Sequence, residues 1–235
     1  MQLNKNNELK ILFIGKENDA NSKEAADYVV LHFKHSTIIS GNRGDPFPEI
    51  AENWKGDLII SYLSQWIIPG SVLKNATVAA VNFHPGPPEY PGIGCTNFAV
   101  YNDENFFGVT CHHMNSRVDT GKIIAVTRFP IFENDSVLSI TLRCYASILE
   151  MFYQILNQVM LAEPLPQSIE QWKRKPYLRK ELNDLCRLTP GMSYEEIERR
   201  IRATHYITDW AYFEIGDQIY KLSDHNKTEA ENVFK

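Results

Sequence analysis

The sequence has no apolar run approaching the roughly 18 residues that a bilayer-spanning helix needs, so no membrane partner is expected. Cysteine is scarce. Cys95, Cys111, Cys144 and Cys186 lie far apart with no C-x-x-C pair, which argues against a disulfide framework and a zinc site and fits reduced, packed thiols. Excess positive charge is also absent: 24 Lys and Arg against 29 Asp and Glu leave a net charge of −5. Such a chain exerts no general pull on a polyanion, so no nucleic-acid partner is expected. The N-terminal MQLNKNNELK lacks the apolar segment of a signal peptide, and the cytoplasm is the expected location. Neither G-x-G-x-x-G nor a P-loop occurs; Gly15-Lys16-Glu17-Asn18 reads as a plain strand-to-helix turn, and no nicotinamide cofactor is expected. There is no internal repeat and no low-complexity tract.

What is present is a series of short apolar runs. Residues 9–15, 57–63 and 77–83 read as buried strands, and 22–33 reads as a helix with Ala25, Tyr28, Val29 and Phe33 on one face and Ser22 as its cap. Strands separated by helix-sized intervals predict βαβ units and a parallel sheet, which binds ligands outside the carboxyl ends of its strands. From Phe106 onward two extended runs, FFGVTCHHM and GKIIAVTRFPI, predict an antiparallel extension of that sheet. A long helix follows from about Asp135 through Met160, with Leu138, Leu142, Tyr145, Leu149 and Phe152 at helical spacing. Beyond a proline-containing linker come a short helix over 195–202 and a hairpin over 211–222 turning at Gly216-Asp217. The expected organisation is a catalytic domain over 1–165, an extension over 166–223 and a flexible tail over 224–235.

The stretch AAVNFHPGPPEYPGIG places an amide and an imidazole at the end of a buried strand, followed by a stiff loop of prolines and glycines. Period two puts Asn82 and His84 on one side of the strand. A neutral N–H donor beside a titratable base suits a reaction in which an oxyanion develops while a proton moves. A carboxylate that could orient His84 lies in Val118-Asp119-Thr120-Gly121, which by itself also reads as a hairpin turn opened by its glycine. The pair His112-His113 points to opposite faces of its strand and cannot easily share a metal. It reads as packing or surface histidine, and no metal site is expected.

Taken in order, Asn82-x-His84-Pro85-Gly86, Tyr90-Pro91-Gly92, Gly108-Val109-Thr110 and Asp119-x-Gly121-x-Ile123-Ile124 resemble the folate-dependent formyltransferase family, over about residues 57–131. The resemblance implies an α/β, Rossmann-like domain with a mostly parallel sheet, plus a short C-terminal helix and β-hairpin. It implies 10-formyltetrahydrofolate as formyl donor and Asn82, His84 and Asp119 as catalytic residues. Asn82 and His84 would stabilise the formyl oxygen, while Asp119 would orient His84 and help remove the ammonium proton. It implies a folate site between Gln65-Trp66-Ile67-Ile68 and the loop carrying Met114, Asn115, Arg117 and Val118, although Trp66 and the isoleucines read equally well as core. The proline-rich loop, through Pro85, Gly86, Tyr90 and Gly92, would hold the acceptor.

Among acceptors, methionyl-tRNA fits poorly, because those enzymes carry a larger C-terminal domain and this chain is acidic. Glycinamide ribonucleotide fits the length, but its phosphate loop is not matched by Gly15–Asp19. The stretches 197–203 and 210–213 resemble the short tail of nucleotide-linked amino-sugar N-formyltransferases. The expected acceptor is therefore dTDP-4-amino-4,6-dideoxyglucose, made for a surface polysaccharide such as O-antigen. UDP-linked and 3-amino sugars would look much the same, and a formyltetrahydrofolate hydrolase would use a similar residue set. The strand edges of the C-terminal hairpin predict a homodimer.

Overall fold

The computed structural model describes residues 7–216 and 218–222. The tail expected over 224–235, and Asp217 of the expected turn, lie outside the described residues. The chain runs β1 (Lys10–Lys16), α1 (Ala20–His32), β2 (His35–Gly41), α2 (Glu49–Glu52), β3 (Gly56–Tyr62), α3 (Gly70–Leu73) and β4 (Ala76–His84). It continues through α4 (Cys95–Tyr101), β5 (Phe106–His113), β6 (Ile123–Pro130) and α5 (Val137–Met160). The C-terminal part is α6 (Arg179–Cys186), β7 (Arg187–Leu188), α7 (Tyr194–Thr204), β8 (Tyr212–Ile215) and β9 (Gln218–Lys221).

The main sheet has the order β2-β1-β3-β4-β5-β6. Strands β2, β1, β3 and β4 pair in parallel, and β5 and β6 are added antiparallel. This is the α/β Rossmann-like arrangement read from the sequence. The apolar runs of β1 and β3 are continuous because both faces of the sheet are covered. Ile11, Phe13, Leu58 and Ile60 pack into one core with α1 and α5, while Leu12, Ile14 and Ile59 face a second core with Ala51, Trp54, Ile68 and Val72. The strand order reverses at β1, and the carboxyl ends of β1, β3 and β4 border the crevice in which such sheets hold ligands.

Several expectations need correction. The cap of α1 is Asp19, whose carboxylate accepts from the Ser22 amide; Ser22 Oγ instead accepts from the Lys16 amide and ties the helix to β1. The buried face of α5 is Val137, Ile140, Cys144, Ile148, Met151 and Phe152, and Leu142 is exposed. Of the residues expected at helical spacing, Phe152 lies on that face and Tyr145 and Leu149 pack at its flank. Strands β2 and β7 and helix α6 were not foreseen. The helix expected over 195–202 is α7, and the hairpin is β8–β9, with β7 paired in parallel to β8. Residues 168–177, expected as linker, run back over the sheet: the amides of Ser168, Lys173 and Tyr177 donate to the carbonyls of Ile123, Pro88 and Pro91. All four cysteines are free and buried, and burial pushes the Cys95 thiol up to about 12.

Tyr62 sits among Phe13, Phe83 and Phe152 with its ring fully buried and no partner for its hydroxyl among the described residues. An unpaired buried hydroxyl costs about 1–3 kcal/mol. Tyr62→Phe is therefore expected to raise the urea midpoint at unchanged m-value, and a lowered midpoint would show that the hydroxyl is satisfied.

Candidate active site

The end of β4 and the facing end of β5 build the site. In the antiparallel register Asn82 lies opposite His112 and His84 opposite Thr110. Thr110 Oγ1 donates to the Gly86 carbonyl and holds the start of the proline-rich loop against β5. Asp119 comes from the β5–β6 loop with φ 44, a left-handed backbone that Asp tolerates better than most residues. Gly121 is needed for a different reason from the tight turn expected. A Cβ there would lie 1.6 Å from the His113 carbonyl oxygen, so glycine permits the loop to close onto the end of β5.

These elements bring the three expected catalytic side chains together. Asp119 Oδ2 is 3.3 Å from His84 Nδ1 and accepts from the Gly92 amide at 2.8 Å. Asp119 Oδ1 is 3.4 Å from Asn82 Nδ2. A fourth member was missed: His112 is 2 % exposed, with Nε2 at 3.2 Å from Asp119 Oδ1 and 3.1 Å from Asn82 Nδ2. Its only sequence signal is the strand register, which is not visible before β4 and β5 are paired. Trp172, from the segment expected as linker, donates its Nε1–H to the Gly121 carbonyl and sets its ring edge-on to both histidines.

Burial alone would raise the carboxyl of Asp119, but the His84 charge, the His112 hydrogen bond and the Gly92 amide together bring it down to about 2. The carboxylate is thus ionised throughout the neutral range. Because the folded-state value lies below the ordinary 3.8, its contribution to stability is complete above that value and is lost as pH falls through about 2. Wild type should therefore lose stability more steeply than Asp119→Asn between about pH 4 and pH 2, where the two carboxyl values lie. Parallel slopes in urea titrations would contradict this reading of Asp119.

His84 departs from the expected orientation. Its Nε2 is 3.0 Å from the Tyr90 carbonyl oxygen, so both ring nitrogens face protein acceptors and neither N–H is directed at open space. Gly86 is required here, since a Cβ would lie 2.6 Å from His84 Nε2. Gly92, at φ 91, leaves room for the Tyr177 backbone 2.4 Å from where its Cβ would be. Tyr90 is buried; its hydroxyl donates to Glu104, and its ring lies parallel to that of Tyr177. It supports the loop from beneath.

The cluster forms the inner wall of a cavity of about 540 Å³. Gln65, Trp66, Ile67 and Ile68 line it after β3, and Met114, Asn115, Arg117 and Val118 line it after β5. Pro85 and Gly92 also reach it, whereas Gly86 and Tyr90 are not among its lining residues. Trp66 is partly structural: its Nε1 donates to the Asp45 carbonyl, and it packs on Phe47. Ile67 and Val118 stay 75 % and 45 % exposed, so the mouth is apolar on two sides and open to a flat ring. Among the described residues no group of three or more His, Cys, Asp or Glu is placed to hold a metal ion, and no helix is long and apolar enough to cross a membrane.

Residues 4–156 match the family described as formyl transferase. The chain belongs to that family. A GDP-perosamine N-formyltransferase from Brucella melitensis is 29 % identical over 163 residues, 69 % of this chain and 62 % of that protein. A methionyl-tRNA formyltransferase from Myxococcus xanthus is 26 % identical over 185 residues, 77 % of this chain and 57 % of its own length. This formyl transferase family member thus spans about three-fifths of the length of these two relatives. Among solved structures, a sugar N-formyltransferase from Shewanella superposes with a TM-score of 0.71 at 20 % identity, covering 91 % of this chain and 96 % of the other. An N-formyltransferase from Helicobacter canadensis, in complex with folinic acid and dTDP-3-aminofucose, superposes with a TM-score of 0.67 at 20 % identity, covering 91 % and 87 %. The family match over residues 4–156 establishes the family, and the superpositions establish the fold.

Proposed function

We propose that this chain transfers a formyl group from 10-formyltetrahydrofolate to the amine of a nucleotide-linked amino sugar, with dTDP-4-amino-4,6-dideoxyglucose as the favoured acceptor. The observation that carries the reading is the meeting of Asn82, His84 and Asp119 at the inner wall of a cavity with apolar lips. The residues suit a reduced folate. Ile67, Met114 and Val118 offer walls for a flat ring, and Arg43 and Arg117 line the same cavity, cations within reach of a carboxylate tail. When bound, the folate supplies the activated formyl carbon.

The acceptor side is supported by a second cleft of about 250 Å³, which shares Lys16, Pro85 and Tyr145 with the first. Tyr206 and Trp210 line it, aromatic faces on which a base can stack, and Lys16 stands between the two spaces where a diphosphate would need a cation. An amine entering from this side would reach the carbonyl carbon beside Asn82. In this reading an Asn82 N–H donates to the formyl oxygen as negative charge builds there. His84, whose two ring nitrogens face the Asp119 carboxylate and the Tyr90 carbonyl, contributes positive charge beside the same atoms when protonated. Asp119 keeps His84 oriented and, through water, would take a proton from the ammonium formed as the free amine adds to the formyl carbon; the bond from that carbon to the folate nitrogen would then break, with a proton delivered to the departing nitrogen.

The names of the Brucella and Helicobacter relatives favour a sugar nucleotide, though they differ in the base. The relative from Myxococcus favours methionyl-tRNA as a second reading; the net charge of −5 speaks against it. The product would serve a surface polysaccharide such as O-antigen and would be made in the cytoplasm. The exposed hairpin edge, with Ile219 and Tyr220 largely open, supports a homodimer. Light scattering at micromolar protein is expected to give twice the chain mass, and a monomer would remove that part. To test the activity, the protein is incubated with 10-formyltetrahydrofolate and dTDP-4-amino-4,6-dideoxyglucose, and the sugar nucleotide is examined for a new formamide. Formate release without any formylated amine would instead indicate a hydrolase.

A further inference from the structure

We propose that Asn97 is a positioning residue for the acceptor: from inside α4 it anchors the end of α7 and so holds residues 204–210, with Tyr206 and Trp210, across the second cleft. The anchoring stands on geometry alone; its consequence for the acceptor rests on the proposed function. Asn97 is 4 % exposed, and a buried amide is costly unless it is paired. Its Nδ2 donates at 2.8 Å to the carbonyl of Ala203, 106 positions away. A carbonyl can only accept, which fixes the nitrogen on that side of the amide. Ala203 is the last residue but one of α7, where a helix leaves its own carbonyls without partners, and it is fully buried. Asn97 supplies there the donor that neither the helix nor solvent provides.

The peptide held in this way is the root of a loop that closes on itself. The Trp210 amide donates to the Thr204 carbonyl, the His205 amide donates to the Ile201 carbonyl, and His205 Nδ1 lies 2.8 Å from Asp209 Oδ1. The rings of Tyr206 and Trp210 touch, with centroids 6.1 Å apart. The aromatic pair is therefore carried by the end of α7 as a unit. Across the cleft from it, Thr96, Asn97 and Thr141 also line the space, and the Thr96 and Thr141 hydroxyls lie 3.2 Å apart, tying α4 to α5. One buried side chain thus joins the α4 side of the cleft to its aromatic side. The other polar ties between α4 and α7 run from Arg202 to the Val100 carbonyl and from Tyr101 to Glu196, residues that do not line the cleft. A role in supporting the fold alone is the alternative to be separated.

The first test needs no substrate. Asn97→Leu fills the space without offering a donor. In that variant, amide hydrogen exchange read by NMR is expected to quicken at least about tenfold at His205 and Trp210, with β1 and β3 amides within about twofold of wild type. Unchanged exchange at His205 and Trp210, or a quickening shared equally by β1 and β3, would overturn the proposal. The second test is kinetic, with 10-formyltetrahydrofolate and dTDP-4-amino-4,6-dideoxyglucose. Asn97→Leu is expected to raise KM for the sugar nucleotide at least about fivefold, with kcat and the folate KM within about twofold. If Asn97 acts through the aromatic pair, adding Asn97→Leu to Tyr206→Ala/Trp210→Ala should raise that KM by less than about twofold more. A wild-type acceptor KM in Asn97→Leu, a loss that falls on kcat instead, or a rise that multiplies in the triple variant would each contradict it. Should the leucine variant fail to fold, Asn97→Ala carries both tests with the same expectations. A wild-type protein that formylates no amine would sink the proposed function and the acceptor half of this proposal with it, and hydrogen exchange would still decide the anchor.

Discussion

Asn82→Ala is expected to lower the turnover of formyl transfer at least about a hundredfold, since a single preorganised oxyanion donor contributes about 3–4 kcal/mol to the transition state. The amide is a neutral donor of the cluster on the cavity wall, with Nδ2 3.1 Å from His112 Nε2 and 3.4 Å from Asp119 Oδ1. The loss should fall on kcat, because the developing charge exists only in the transition state. His84→Ala is expected to lose as much by a different route. It removes the group between Asp119 and the Tyr90 carbonyl and leaves the Asp119 carboxylate buried with one partner fewer. Thermal melting separates the two, since His84→Ala, which removes an ionisable partner of Asp119, should lower Tm more than Asn82→Ala, which removes a neutral contact of 3.4 Å. Near-wild-type formylation by purified His84→Asn would contradict the assignment.

Gly121→Ala is expected to be the most damaging single methyl in the site. Its Cβ would stand 1.6 Å from the His113 carbonyl oxygen and 2.7 Å from the carbonyl carbon, both backbone atoms of β5. No rotamer change can relieve that contact. Either the end of β5 or the loop carrying Asp119 must move. The displaced oxygen is the acceptor for His112 Nδ1, and the Gly121 carbonyl is the acceptor for Trp172 Nε1, so the cluster and its cover shift together. Overpacking of rigid backbone commonly costs about 1–3 kcal/mol, and this variant should lie at or above the upper end of that range. Urea unfolding should show the loss and activity should vanish. A variant with wild-type midpoint and turnover would mean that Gly121 is not packed as described.

How much of this could be read in advance follows from how far apart the determining residues lie. Strands β1 and β3 were legible because burial on both faces makes each a continuous apolar run, β4 because Val78 to Val81 is apolar although only one face is fully buried, and β5 and β6 because their runs are adjacent in sequence. Strand β2 was not legible: it is an edge strand, half-buried along its length, and its Thr37-Ile38-Ile39 is flanked by polar residues. Helix α6 buries only Leu182, Leu185 and Cys186, too few to show a period. Asn82, His84 and Asp119 stood out because their residue types are unexpected at strand ends. His112 did not, since it earns its place from pairing with β4, thirty positions away. Trp172 lies farther still from the residues it covers, in a segment whose path is set by hydrogen bonds to Pro88 and Pro91.

Movement of a formyl group from a reduced folate to the amine of a sugar nucleotide is the activity proposed for this chain. The most direct measurement is mass spectrometry of an acceptor panel after incubation with 10-formyltetrahydrofolate: dTDP-, UDP- and GDP-linked 3-amino and 4-amino sugars, glycinamide ribonucleotide and methionyl-tRNA. A formyl group is expected on a sugar nucleotide, foremost dTDP-4-amino-4,6-dideoxyglucose, and none when Asn82→Ala is used for the same time. Formylation confined to methionyl-tRNA or glycinamide ribonucleotide would contradict it.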